Sequence, residues 1–334
     1  MARGTVDVAD LGGLVREAFG AGRRAETVER LRGGTAKGVY RVRLDDGGTA
    51  ILYAWGAAES YWPGAGNEDP ALPFSGASSL DLFVAGRAAL DSAGVRTPRV
   101  YAADRERSLA LVEDVRGGTL EALLERGRHP ALDGLAAALA AMRQHRSGRL
   151  GRPSYPAGPA ASCAQIILER ALRQLGEAAR RVERIHAVRE RVVDTLHALA
   201  DDIQPRDRYG LVHGELGPDH VLIDAATQEP VLIDLDGVLF FDVEWEHAFL
   251  ELRFGDHYPT LRLPGLDEAR LRLYRLAQAV SLVAGPLQLL DGDFPDRAFM
   301  LQVVEWNIAR VLGLSDGVQG QIPAGRRAGP GPTR

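Results

Sequence analysis

The sequence predicts an α+β chain, strand-rich in its first third and helical over most of the rest, and three observations carry that reading. Three β-type runs crowd into residues 27–55, joined by a glycine-rich turn and an Asp-Gly turn. From Ala131 onward apolar residues recur at helical spacing, first at Leu132, Leu135, Leu139 and Met142 and again at Val188, Val192, Leu196 and Leu199. Residues 211–242, LVHGELGPDHVLIDAATQEPVLIDLDGVLFFD, interrupt the helical pattern with a Gly- and Pro-bearing loop and two short apolar runs, at 220–223 and 230–235. A polar segment at 224–229 separates the runs, which reads as a loop feeding a tight β-hairpin.

Taken in order, Val8, Leu11, Val15 and Phe19 mark an amphipathic helix with Asp7 and Asp10 at its favourable end. Strands follow at residues 27–31, 39–44 and 49–55. The first turn, Gly33-Gly34-Thr35-Ala36-Lys37-Gly38, can let backbone N–H groups approach phosphate oxygens. Residues 60–79 form a long Pro- and Gly-rich insertion whose Tyr61, Trp62 and Phe74 are costly to leave in water, so it is expected to pack and to border a cleft. A helix is expected over 79–93, strands over 97–102 and 109–115, and a further helix from Leu120. Prolines in residues 151–159 bar a continuous helix, and the Arg-rich segment 170–191, interleaved with Glu177, Glu183 and Glu190, reads as a solvated face with i,i+4 pairs. Two amphipathic helices are expected near 271–290 and 296–312, and the aperiodic tail 317–334 is expected to be disordered.

The 334 residues suffice for two lobes with their own cores, and 46% hydrophobic with 25% charged residues is globular composition, which excludes fibrous and disordered classes. With 40 basic against 45 acidic residues the net charge is −5, which disfavours nucleic acid as a partner. The single cysteine, Cys163, excludes an internal disulfide. No apolar run reaches the length of a membrane span, and the first residues lack a signal-peptide core, so a cytoplasmic protein without membrane partners is expected.

The charged groups of the hairpin region fall at its ends, with Glu215 and His220 on the loop side and Asp234 and Asp236 on the far side. Folding the hairpin should bring Glu215, His220 and Asp234 into one small volume, where carboxylates and an imidazole could hold a divalent cation and orient a hydroxyl. These residues resemble the core of the aminoglycoside phosphotransferase family, whose members look like HGD, four residues, Asn, three apolar residues, then a hairpin ending in apolar-Ile-Asp. His at the Asn position resembles the macrolide phosphotransferase branch. The resemblance implies a protein-kinase-like two-lobed fold, with a small antiparallel-sheet N-lobe over residues 1–116 and a mostly helical C-lobe over 117–316. It also implies Glu215 as the residue orienting the acceptor hydroxyl, and His220 and Asp234, assisted by Asp236, as holders of Mg2+ on the phosphates of ATP or GTP.

In this pattern Gly33, Gly34 and Lys37 would meet the phosphates, and the backbone around Glu113 and Val115 would meet the purine. Tyr53 stands where the family type carries the strand lysine, and Asp81 is the only early acid on the following helix. Lys37 is the nearest substitute cation. His213 is expected to brace the loop, and Asp242 to do the same from outside it. Glu244, Glu246 and Asp256, with Asp291, Asp293 and Asp296, could line a pocket for a cationic small-molecule acceptor such as an antibiotic. The expected activity is transfer of a γ-phosphate to a hydroxyl. A nucleotide- or ligand-binding protein without turnover, and a nucleotidyl transferase, are the alternatives.

Overall fold

The computed structural model describes residues 6–127, 129–156 and 162–316. The tail expected to be disordered lies outside them. Five strands, β1 (Ala25–Arg30), β2 (Gly38–Leu44), β3 (Thr49–Ala54), β4 (Val100–Asp104) and β5 (Leu109–Glu113), form one antiparallel sheet in the order β1-β2-β3-β5-β4. Alternation is clearest in β2, where Tyr40, Val42 and Leu44 are buried against α1 (Gly12–Phe19) and Arg43 faces out. Helix α2 (Leu80–Ser92) starts on the Ser79 hydroxyl, which accepts from the Leu82 N–H, and covers the opposite face.

The helical lobe holds α3 (Leu120–Leu124), α4 (Ala131–Gln144), α5 (Cys163–Arg181), α6 (Glu183–His186), α7 (Arg189–Asp201), α8 (Val243–Phe254), α9 (Tyr258–Leu261), α10 (Glu268–Leu289) and α11 (Arg297–Ser315). Helix α10, buried along much of its length, packs against α5, α8 and α11. Short strands β6 (Arg146–Ser147), β7 (Gly151–Arg152), β8 (Tyr155–Pro156), β9 (Tyr209–Val212) and β12 (Leu239–Phe241) form a second sheet, and β10 (Val221–Ile223) pairs with β11 (Pro230–Leu232) as the expected hairpin. No helix of the described residues is long and apolar enough to cross a membrane.

The two lobes share apolar contacts, since one cluster runs from Ile51, Tyr53 and Phe83 through Leu120 and Leu135 to Leu250. Gly86 lets α2 close onto residues 235–237: a Cβ there would lie 2.3 Å from the Leu235 carbonyl oxygen. The insertion spans both lobes. Trp62 donates its indole N–H to the Thr35 hydroxyl in the glycine-rich turn, while Tyr61 meets Phe294 and Phe74 meets Phe241 and Trp245 in the helical lobe. Arg152, 4% exposed, donates to the carbonyls of Pro70, Ser75 and Ala77 and so ties the strap down.

The arginine-rich segment is a correction. The helix breaks at Val182, and its charges reach across the lobe, Arg181 to Asp291 and Arg184 to Glu305, instead of pairing along one solvated face.

His247 on α8 is buried, and burial pushes its pKa down to about 4 in spite of the nearby Glu244 charge. The folded value lies below the unfolded one, near 6.5, so the unfolded chain binds this proton first as pH falls. Stability is therefore expected to drop by roughly 3 kcal/mol between about pH 6.5 and pH 4 from this group alone. Denaturant unfolding of wild type and His247→Gln across that range checks it, and the variant should show a visibly flatter profile.

Candidate active site

The site is built on the chain leaving β9. Gly214 adopts φ +97°, and a Cβ would stand 2.9 Å from the Gly237 carbonyl oxygen, so the turn requires glycine. The buried Glu246 carboxylate organises this loop, accepting from the backbone N–H groups of His213 and Gly214 through Oε2 and of Leu216 through Oε1. Trp245 donates its indole N–H to the Gly214 carbonyl. His213 Nε2 lies 2.8 Å from the Ile233 carbonyl oxygen, so Nε2 carries the proton and Nδ1 is left buried without a partner. Burial lowers its pKa, which keeps the ring neutral and fits the expected bracing role.

The loop ends in a short turn, Pro218–His220, with proline at its start. His220 Nδ1 donates to the Glu215 carbonyl at 2.8 Å, which leaves Nε2 facing two carboxylates, Asp234 Oδ2 at 3.6 Å and Asp219 Oδ2 at 3.7 Å. Burial opposes a charge on His220, but Asp219 and Asp234 outweigh it and raise its pKa. Asp219 is held in turn by Arg253 at 2.8 Å.

Asp234 follows β11 in the left-handed region, φ +65° and ψ +56°, and opens a short turn over Leu235–Gly237. That is a correction to the expected hairpin, whose second run was placed at 230–235: the strand ends at Leu232, and the turn brings Asp234 and Asp236 to one group. That group is Lys37, whose buried ammonium lies 2.5 Å from Asp234 Oδ1 and 2.8 Å from Asp236 Oδ2. Desolvation opposes ionisation of Asp234, yet Lys37 and His220 hold it well below the usual carboxylate range. The same two carboxylates hold the lysine well above its ordinary value in spite of burial.

Asp236 also receives the Trp55 indole and the Ser78 hydroxyl on Oδ2, while its buried Oδ1 has no partner. The Lys37 ammonium stands 5.6 Å from the Tyr53 ring centroid, so a cation from the glycine-rich turn reaches the vicinity of the strand position that lost its lysine. Tyr53, Trp55 and Phe83 pack as an aromatic cluster there, and Asp81 pairs at the surface with Arg105.

The Glu215 side chain is open to solvent on one side, while desolvation and then the Asp234 charge raise its pKa, against His220 and Arg170. Glu215, His220 and Asp234 are thus brought together as expected. Asp236 faces the sheet lobe instead of His220, which corrects the expected trio of His220, Asp234 and Asp236. Among the described residues no three His, Cys, Asp or Glu side chains form a ready metal cluster. The orphaned Asp236 Oδ1 and the outer oxygen of Asp234 nonetheless suit Mg2+, which is commonly held by one or two carboxylates with phosphates completing its shell.

Gly33 and Gly34 adopt φ +103° and +74°, the conformation the turn needs. Glu113 is corrected: it lies in β5, its N–H bonded to the Arg99 carbonyl and its carboxylate to Arg96, so the connection to the helical lobe starts after it. The Val115 side chain joins a separate apolar patch with Leu222, Val231 and Ile233.

The acidic groups expected around an acceptor are largely engaged elsewhere. Glu244 binds Arg206 and the Asp267 N–H, Glu246 holds the loop, Asp291 pairs with Arg181 and Asp296 caps α11. Asp242 accepts from Arg270 and Tyr274, bracing α10 and not the loop. Asp219, Arg170 and Ser78 were not singled out from the sequence as site residues, and Glu246 was expected at an acceptor pocket instead of under the loop; the Pro-Asp-His turn was the available signal for Asp219. A cavity of about 330 Å3 opens beside the strap between Trp62, Arg180, Arg181 and Gln288; Asp291, one of the acids expected around an acceptor, lines it, but Glu215, His220, Asp234 and Asp236 do not.

Comparison with known proteins agrees with the two-lobed fold. Among curated proteins no sequence match reaches significance. By fold, the chain is similar to the crystal structure of a thermostable mutant of the aminoglycoside phosphotransferase APH(4)-Ia in apo form, with TM-score 0.65, 17% identity, and coverage of 93% of this chain and 100% of that one. It is similar to a putative fructosamine-3-kinase from Thermobifida fusca YX-ER1, with TM-score 0.54, 22% identity and coverage of 92% and 99%. The choline kinase LicA from Streptococcus pneumoniae matches with TM-score 0.59, 14% identity and coverage of 89% and 98%. The profile described as the phosphotransferase enzyme family, APH, matches residues 27–281. With that match covering most of the chain and the two-lobed fold in place, this protein belongs to the aminoglycoside phosphotransferase family.

Proposed function

We propose that the protein transfers the γ-phosphate of ATP or GTP to a hydroxyl of a small molecule, in a cleft between a sheet lobe ending at residue 116 and a helical lobe over 117–316. The observation that carries this reading is the meeting of Asp234, Asp236 and Lys37 beside Glu215 and His220. Structures of APH(4)-Ia in ternary complex with ADP and hygromycin B, and of LicA with AMP, support a nucleotide and a small acceptor as ligands.

In this proposal the apolar patch of Val115, Leu222, Val231 and Ile233 receives the base, and the turn at Gly33 and Gly34 covers the phosphates. Asp234 and Asp236 would hold Mg2+, which supplies charge neutralisation on the phosphates. Lys37, released from the carboxylates, turns its ammonium to the phosphates. Glu215 orients the acceptor hydroxyl and takes its proton, and its raised pKa makes it a better proton acceptor than an ordinary carboxylate. His220 fixes the loop through the Glu215 carbonyl and keeps Nε2 beside Asp234. Incubation with ATP or GTP, Mg2+ and a panel of hydroxylated small molecules, read by mass spectrometry, tests the reading. Added phosphate is the expected result. An added nucleotidyl group, or nucleotide binding without consumption, would replace it with one of the alternatives.

A further inference from the structure

One cation beside the catalytic loop has no hydrogen-bonded or ion-paired partner among the described residues. Arg170, partly buried on α5, lies with its guanidinium 5.6 Å from the Phe74 ring centroid and 5.8 Å from that of Trp245. Trp245 is the residue that donates to the Gly214 carbonyl, next to Glu215, so Arg170 forms the wall beside that loop. Other partly buried arginines nearby are engaged: Arg253 with Asp219, Arg206 with Glu244, Arg152 with three carbonyls. Arg170 makes no hydrogen bond or ion pair among the described residues. The two aromatic faces attract the cation but accept none of its N–H hydrogen bonds in the guanidinium plane.

Burial lowers its pKa to about 10, against the attraction of Glu215, so it is still a cation at neutral pH. A planar five-donor fork held flat by two rings, charged and without an acceptor, is arranged for bidentate contact with a carboxylate or phosphate.

We propose that Arg170 is a specificity residue that receives an anionic oxygen group of the acceptor, a carboxylate or phosphate near the hydroxyl presented to Glu215. The acceptor is thereby of the opposite charge class to an aminoglycoside. The inference rests on the phosphotransferase reading above. It agrees with the structural use of Glu244, Glu246, Asp291 and Asp296, which takes them away from any cationic ligand.

The test is calorimetric binding in the presence of Mg2+ and AMP-PNP, using matched probes. Glycerate against glycerol and glucuronate against glucose report on carboxylate. Glycerol 3-phosphate against glycerol and glucose 6-phosphate against glucose report on phosphate, and hygromycin B is the cationic comparison. Wild type should bind at least one anionic member more tightly than its neutral partner by on the order of 10- to 100-fold. Arg170→Gln should erase that preference with AMP-PNP affinity unchanged and the protein still folded, and Arg170→Lys should restore part of it. With an acceptor that turns over, Arg170→Gln should raise KM more than it lowers kcat. Equal or tighter binding of the neutral or cationic compounds, an unchanged preference in Arg170→Gln, or AMP-PNP binding with no anion bound would each overturn the assignment. Failure to bind either AMP-PNP or its guanine counterpart GMP-PNP would instead remove the phosphotransferase reading, and this inference with it.

Discussion

Asp234→Asn is expected to lower phosphoryl transfer by on the order of 10²–10³-fold and to abolish the strengthening of nucleotide binding by Mg2+. The substitution isolates charge from backbone. Asp234 sits at φ +65°, a region that Asn tolerates and that most other residues adopt only at a cost, so the turn over Leu235–Gly237 should survive. What disappears is the carboxylate that pairs with Lys37 and faces His220. Positioning and charge neutralisation account for most of the barrier lowering in phosphoryl transfer, so removing this charge should act on the rate much more than on the fold. Turnover assays together with AMP-PNP titrations at zero and saturating Mg2+ check both parts. Glu215→Gln is the contrast: a reduced rate with nucleotide affinity kept. Wild-type turnover in Asp234→Asn, or equal loss of affinity in both variants, would contradict the roles assigned.

The largest effect on stability is expected from Glu246→Ala. One buried carboxylate accepts from three backbone N–H groups, those of His213, Gly214 and Leu216, and none of them gains a new protein partner when it is removed. Leaving a buried donor unpaired costs about 1–3 kcal/mol, so the total should be on the order of 3 kcal/mol or more. The residues released are the ones that aim Glu215, so activity should fall further than the loss of folded protein explains. Chemical denaturation and kcat measured on the folded fraction separate the two effects. A cost below about 1 kcal/mol would mean that water or another group satisfies the loop.

Much of the fold could be read from the residues because the signals were local. Glycine turns, an Asp-Gly hairpin and apolar alternation gave five strands and the β10–β11 hairpin close to their true limits. The approach of His220 to Asp234 followed from the hairpin. Three features depended on long-range contacts that carry no local pattern. Glu246 looked like an acceptor-facing acid because an acid at the start of a helix reads the same whether it meets solvent or a loop backbone. Glu113 looked like the hinge because the end of β5 is set by its pairing with β3 and β4, not by its own residues. Arg170 was lost among the arginines of a segment that looked evenly solvated, and only the strap carrying Phe74 sets it apart. Lys37 was identified as the substitute cation, but its partners lie 197 and 199 residues away in sequence, where no local pattern points to them.

The resting pairing of Lys37 with Asp234 and Asp236 admits a direct decision. If the lysine serves the phosphates once Mg2+ takes the carboxylates, Lys37→Ala should weaken Mg-AMP-PNP binding by on the order of 10-fold or more, the worth of a charge-assisted contact, with Tyr53→Phe close to wild type. If the lysine only blocks the carboxylates, Lys37→Ala should bind Mg-AMP-PNP more tightly than wild type. Calorimetric titration of wild type and the two variants decides between them, and tighter or unchanged binding in Lys37→Ala would contradict the account.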